Sequence, residues 1–222
     1  MSSPKISINQ LAEFHSATDA SKKRIIKNQQ SPNKFLLPWY QLPKARIKKC
    51  IELRGDKSPI EEAMKLLENK APQNDRQRID KQVSIEALER FVTMRLPSVL
   101  SEIGEYMTIK PSKKFLEIGE VEVIVAPEVV IKGRLNNQVV YGAVKIHISK
   151  NKPFDFTKAT YVATTIKKYL EAEVAQENEF VIPDLCICLD VFSGRLVKAS
   201  TESRTFLEIE NICNELNRLW DA

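Results

Sequence analysis

Val121–Ser149 reads VEVIVAPEVVIKGRLNNQVVYGAVKIHIS, and the rest of the chain must be arranged around it. Valine and isoleucine dominate on both sides of Asn136-Asn137-Gln138, a short polar break of the kind that joins paired strands. The spacing therefore predicts two strands, 121–135 and 139–149, folded back as a hairpin at the centre of a sheet. On the second strand Lys145 and His147 alternate with Val144, Ile146 and Ile148, which puts both polar groups on one face. Glu128 follows Pro127 on the first strand, about one hairpin earlier.

Downstream, Thr157–Ala175 carries Ala159, Val162, Ala163, Ile166, Tyr169 and Leu170 at helical spacing. Phe180–Leu189 is nearly all apolar in its second half, as expected of a strand buried on both faces. Ser193-Gly194 predicts a turn back into 195–199, and Thr205–Trp220 an amphipathic helix covering the sheet. Upstream, Ser84–Tyr106 is read as a helix divided by Pro97. The order of elements makes this an α+β fold, a central mixed β-sheet flanked by helices, with a helical N-terminal extension. The chain divides at 83/84 into a basic helical region (1–83) and an α+β core domain (84–222).

In the N-terminal region, helices are expected over 7–17, 21–30, 44–53 and 58–69, and a loop or weak helix start over 71–82. Prolines 32, 38 and 43 break SPNKFLLPWYQLP into an irregular arm, with Phe35, Leu36, Leu37, Trp39 and Tyr40 expected to pack on the main domain. Residues 1–50 hold ten Lys and Arg against two acids, a net of +8. The whole chain carries +5, so the remaining residues are slightly acidic and the basic character belongs to the N-terminal region.

Apolar residues make up 43% and charged residues 28% of the 222, the composition of an ordinary globular protein. No apolar run reaches the roughly 20 residues of a spanning helix, and MSSPKISINQ lacks a signal-peptide core, so a cytoplasmic protein without a membrane partner is expected. The spacing of Cys50, Cys186, Cys188 and Cys213 matches no zinc pattern and predicts reduced, buried thiols. With six glycines, neither GxGxxG nor a P-loop is present, and no GxSxG marks a nucleophile.

The residues with chemical potential are therefore few. Pro127-Glu128 on one strand and Lys145 on the next, in an order of helix, strands, helix, strand from Ser84 to Asp190, resemble the core of the PD-(D/E)XK nuclease superfamily. The resemblance covers about half of the chain. It implies a catalytic pair, Glu128 and Lys145, with Glu128 holding Mg²⁺ and Lys145 orienting water or stabilising developing charge. Ala143 stands where that superfamily has its second acid, and Glu102 or Glu105 could replace it. Metal-assisted phosphodiester hydrolysis needs clustered carboxylates, because Mg²⁺ takes oxygen ligands.

Each residue also has a structural reading. Glu128, Lys145 and His147 fit a polar strand face; Asp184 and Asp190 fit turn formers at strand ends. The basic residues Lys22, Lys23, Arg24, Lys27, Lys48 and Lys49, near Trp39 and Tyr40, are candidates for nucleic-acid contact, the cations for phosphates and the rings for stacking. The expected function is thus a nucleic-acid-associated protein with a nuclease-like core, a degenerate metal-dependent nuclease, with DNA or RNA as partner. The alternative is a non-catalytic interaction or scaffold subunit binding a protein partner or forming a homo-oligomer.

Overall fold

The computed structural model describes residues 3–31 and 39–221. The first half runs β1 (Lys5–Ser7), α1 (Ile8–His15), α2 (Asp19–Gln30), α3 (Gln41–Glu52), α4 (Ser58–Asn69), α5 (Asp75–Thr93) and α6 (Val99–Glu102). Strands β2 (Gly104–Ile109), β3 (Phe115–Ile118), β4 (Val121–Ile124), β5 (Val129–Leu135) and β6 (Gln138–His147) follow. The chain then closes through α7 (Phe156–Glu173), β7 (Phe180–Asp190), β8 (Arg195–Lys198) and α8 (Ser203–Leu219).

The main sheet has the order β2-β5-β6-β7-β8. Among the described residues its only parallel pair is β6–β7, joined across α7; the other pairs are antiparallel, so the sheet is mixed and the fold is α+β. A second sheet, β1-β4-β3, lies beside it. The β5–β6 hairpin turns through Asn136 and Asn137, both at positive φ (50° and 64°), a conformation that asparagine tolerates better than most residues.

One predicted strand divides. Residues 121–135 form β4 in the small sheet and β5 in the large one, separated by Val125–Glu128. Pro127 cannot donate to a ladder and Ala126 sits at φ 33°, so the chain leaves one sheet and enters the other at this corner. The helix expected over 84–106 also differs. It starts earlier, where the Asn74 side chain accepts the Gln77 N–H, and ends at Thr93 ahead of Pro97. Tyr106 belongs to β2, where its hydroxyl donates to the Ile51 carbonyl.

Two apolar clusters cover the main sheet. Tyr141, Ala143, Cys186 and Cys188 point into a core formed with α1, α2, α7 and α8. Val144, Ile146, Ile187 and Leu189 point the opposite way, onto α3, α4, α5 and α6. The basic N-terminal helices are thus shared between the faces, and β1 pairs in parallel with β4. None of the helices described is long and apolar enough to cross a membrane.

Gly142 lies where β6 and β7 shift register, because β7 bulges around Pro183 between Val181 and Cys186. A Cβ on Gly142 would stand 2.3 Å from the Leu185 Cβ and 2.9 Å from its carbonyl oxygen. Gly142→Ala is therefore expected to destabilise the protein by about 1–3 kcal/mol, measured by urea unfolding, since backbone and not a flexible side-chain end must move.

Candidate functional site

The antiparallel register of β5 and β6 sets Val129 opposite Val144, so the residue just before β5 meets the residue just after Val144. The Glu128 N–H donates to the Val144 carbonyl (3.0 Å), and the Lys145 side chain reaches back across the pair. Its ammonium donates to the Ala126 carbonyl (2.8 Å) and to Glu128 Oε1 (3.2 Å). Lys44, from α3, places its Nζ 2.6 Å from the same Oε1, and the Ile146 N–H donates to Oε2 (2.7 Å). Glu128 and Lys145 are therefore brought together. Burial lowers the Lys145 pKa, opposed chiefly by the Glu128 carboxylate. Lys145 thereby holds Ala126 in its left-handed conformation, and the corner between the sheets is fastened from both sides.

The donor set at this corner does not fit a magnesium ion. Both oxygens of Glu128 already accept N–H donors, two of them cationic, whereas Mg²⁺ requires several oxygen ligands. Ala143 is fully buried in the core facing α7, in register with Cys186. Glu105 pairs with Arg134 (2.8 Å), six residues along the chain from Glu128 and about 20 Å away at strand spacing, and Glu102 precedes it on α6. Among the described residues no group of three or more His, Cys, Asp and Glu is placed to hold a metal ion.

Two residues beyond Lys145, His147 stacks on Phe154 with ring centroids 3.7 Å apart. Its Nε2 lies 2.9 Å from the Lys152 carbonyl and 3.7 Å from Asp190 Oδ2. Burial lowers the His147 pKa, against the opposing pull of that carbonyl and of Asp190. Asp190 is fully buried and accepts the Phe154 N–H (2.6 Å) and the Ser193 N–H (2.8 Å). It organises the loops that follow β6 and β7. Asp184, on the bulged part of β7, forms an exposed ion pair with Lys198.

The six basic candidates do not form one patch. Lys22, Lys23, Arg24 and Lys27 lie on α2, and Lys48 and Lys49 on α3, helices packed on opposite faces of the main sheet. Lys22 pairs with Glu215, while Lys48 and Lys49 share Glu52 at 3.7 and 3.6 Å. Trp39 remains 45% exposed with the Arg76 guanidinium over its ring, and Tyr40 packs edge-on against Phe192. Phe35, Leu36 and Leu37 lie outside the described residues.

A cation cluster that the sequence did not single out surrounds the Glu128 corner. Lys48, Lys110 and Lys114 line a cleft of about 290 Å³ with Ala126, Pro127 and Glu128, and Lys44 reaches the same carboxylate one helical turn before Lys48. Lys110 and Lys114 have no carboxylate partner among the described residues, whereas Glu52 and Glu128, the two acids of the cleft, are already paired. The run Lys110-Pro-Ser-Lys-Lys114 was a legible signal, but only the fold carries it to the β4–β5 corner. The four cysteines are buried, and burial raises all their pKa values, Cys50 to about 11 and Cys213 to about 12, which leaves them as inert thiols. The sequence matches no protein-family profile and is similar to no curated protein at a significant level.

Proposed function

We propose that this chain associates with nucleic acid through a nuclease-like α+β core in which the Glu128–Lys145 pair serves as a structural clamp and the surrounding lysines contact phosphates. The observation that carries the reading is the lysine cluster around the Glu128 corner, with Lys110 and Lys114 lacking a carboxylate partner among the described residues, beside acids that are already neutralised. Unpaired lysines on one rim are the electrostatic footprint of a phosphate backbone. The order of helix, antiparallel strands, helix and parallel strand agrees with the resemblance to the PD-(D/E)XK superfamily. The carboxylate surroundings favour binding over cleavage.

Fluorescence anisotropy with labelled DNA and RNA over a salt series tests this. Lys110→Glu with Lys114→Glu is expected to weaken binding at least about tenfold and to reduce the slope of log K against log salt by about 2. Binding that is insensitive to salt and to both substitutions would leave a protein partner as the better reading. Cleavage in Mg²⁺ or Mn²⁺ that disappears in Glu128→Ala would overturn the non-catalytic assignment.

A further inference from the structure

A cleft of about 720 Å³ lies away from the lysine-lined one, between α1 and α2 on one side and the loop from β6 to α7 on the other. It opens beyond the carboxyl ends of the parallel strands β6 and β7, where His147 and Asp190 stand in register. Crevices outside the carboxyl ends of parallel strands are where open α/β sheets take their ligands, and this volume suits a small organic molecule.

Its charge selects the ligand. Three cations, Arg24, Lys152 and Lys158, line the cleft against one acid, Glu13. Lys158 is engaged, 3.7 Å from both Glu13 and Asp155, whereas Arg24 and Lys152 have no carboxylate partner among the described residues. Two uncommitted cations on opposite walls form a clamp for an anion with several oxygens. Neutral amides complete the lining: Asn28 on α2, and Asn9 and Gln10 on α1. Amide groups beside a cation pair suit a ligand that joins a phosphate to a hydrogen-bonding ring.

We propose that this cleft binds a free nucleotide, with Arg24 and Lys152 gripping its phosphates and the amides of α1 and α2 meeting its base. The site stands on residues other than Lys110 and Lys114, so its failure is separable from failure of the nucleic-acid reading.

Titration calorimetry with ATP and GTP, with competition by inorganic pyrophosphate and by a short oligonucleotide, tests the proposal. Both nucleotides are expected to bind saturably, and pyrophosphate to compete with them. Arg24→Glu with Lys152→Glu is expected to weaken nucleotide binding about tenfold or more, because two charge-assisted contacts become repulsive. Both side chains are exposed, so circular dichroism should show an unchanged fold. Lys110→Glu with Lys114→Glu is expected to leave nucleotide binding unaltered, and the His147 ring resonances are expected to shift on ATP addition in the wild type alone. Absence of saturable binding, binding indifferent to the Arg24 and Lys152 changes, or binding of the oligonucleotide without any mononucleotide would each overturn it.

Discussion

Glu128→Ala is expected to destabilise the protein by about 3–5 kcal/mol, the usual consequence of removing one partner from a buried ion pair. The Glu128 and Lys145 side chains are only 14% and 11% exposed, so solvent screens the pair little. Two groups lose a partner at once: the Lys145 ammonium keeps only the Ala126 carbonyl, and the Ile146 N–H loses its acceptor. Lys44 is 41% exposed and its own share in the pair is worth less than about 1 kcal/mol, so Lys44→Ala should have a small effect. The double change Glu128→Gln with Lys145→Met is expected to recover most of the loss, because it leaves no unpaired charge and retains an amide oxygen for Ile146.

The pH dependence of this variant separates a charge effect from a packing effect. Lys145 already has a lowered pKa in the folded protein, and without Glu128 it falls further. The unfolded chain then binds more protons than the folded one between that lowered value and about 10.4, so stability rises with pH across the window. The deficit of Glu128→Ala relative to wild type should accordingly shrink as pH is raised from neutral towards 10. A deficit constant over that range, in urea unfolding, would show that lost packing and not the unpaired ammonium is responsible.

Asp190→Ala is expected to cost about 3 kcal/mol. Asp190 is fully buried and is the acceptor for two backbone N–H groups, those of Phe154 and Ser193, each about 1–3 kcal/mol to leave unsatisfied. The loss should be local as well as global: hydrogen exchange at Phe154 and Ser193 is expected to accelerate more than exchange in the β5–β6 ladder. Phe154 is also the ring on which His147 stacks, and its carbonyl accepts from Arg195 (2.9 Å), so the wall of the wide cleft should loosen with it. Unchanged protection at Phe154 would mean that other contacts, and not the carboxylate, hold this loop.

Elements with a strong local pattern were legible in the chain itself. The apolar faces of α7 and α8, the β5–β6 turn at Asn136-Asn137, the buried run of β7 and its return into β8 all follow from periodicity and turn chemistry within a few residues of one another. So does the juxtaposition of Glu128 with Lys145, since pairing about a short turn dictates which residues face each other. Where a strand changes sheets was not legible. Residues 121–135 have one uninterrupted β pattern apart from Pro127, and their division into β4 and β5 depends on partners distant in sequence, β1 and β3 on one side and β2 and β6 on the other.

Local residue chemistry thus determined most of the helices, the strands from β5 onward, the mixed sheet and the hairpin that sets Glu128 against Lys145. Only the tertiary structure decided what that pair does and where the free charge lies. It brings Lys44 from α3 onto the carboxylate, buries Ala143 where a second acid would have been needed, and gathers Lys110 and Lys114 at the same corner while Arg24 and Lys152 face another cleft. The reason is physical: a hydrogen-bond ladder or an apolar face is specified by neighbours in the chain, whereas the partners of a charged group are set by which distant segments the closed core brings within a few ångströms.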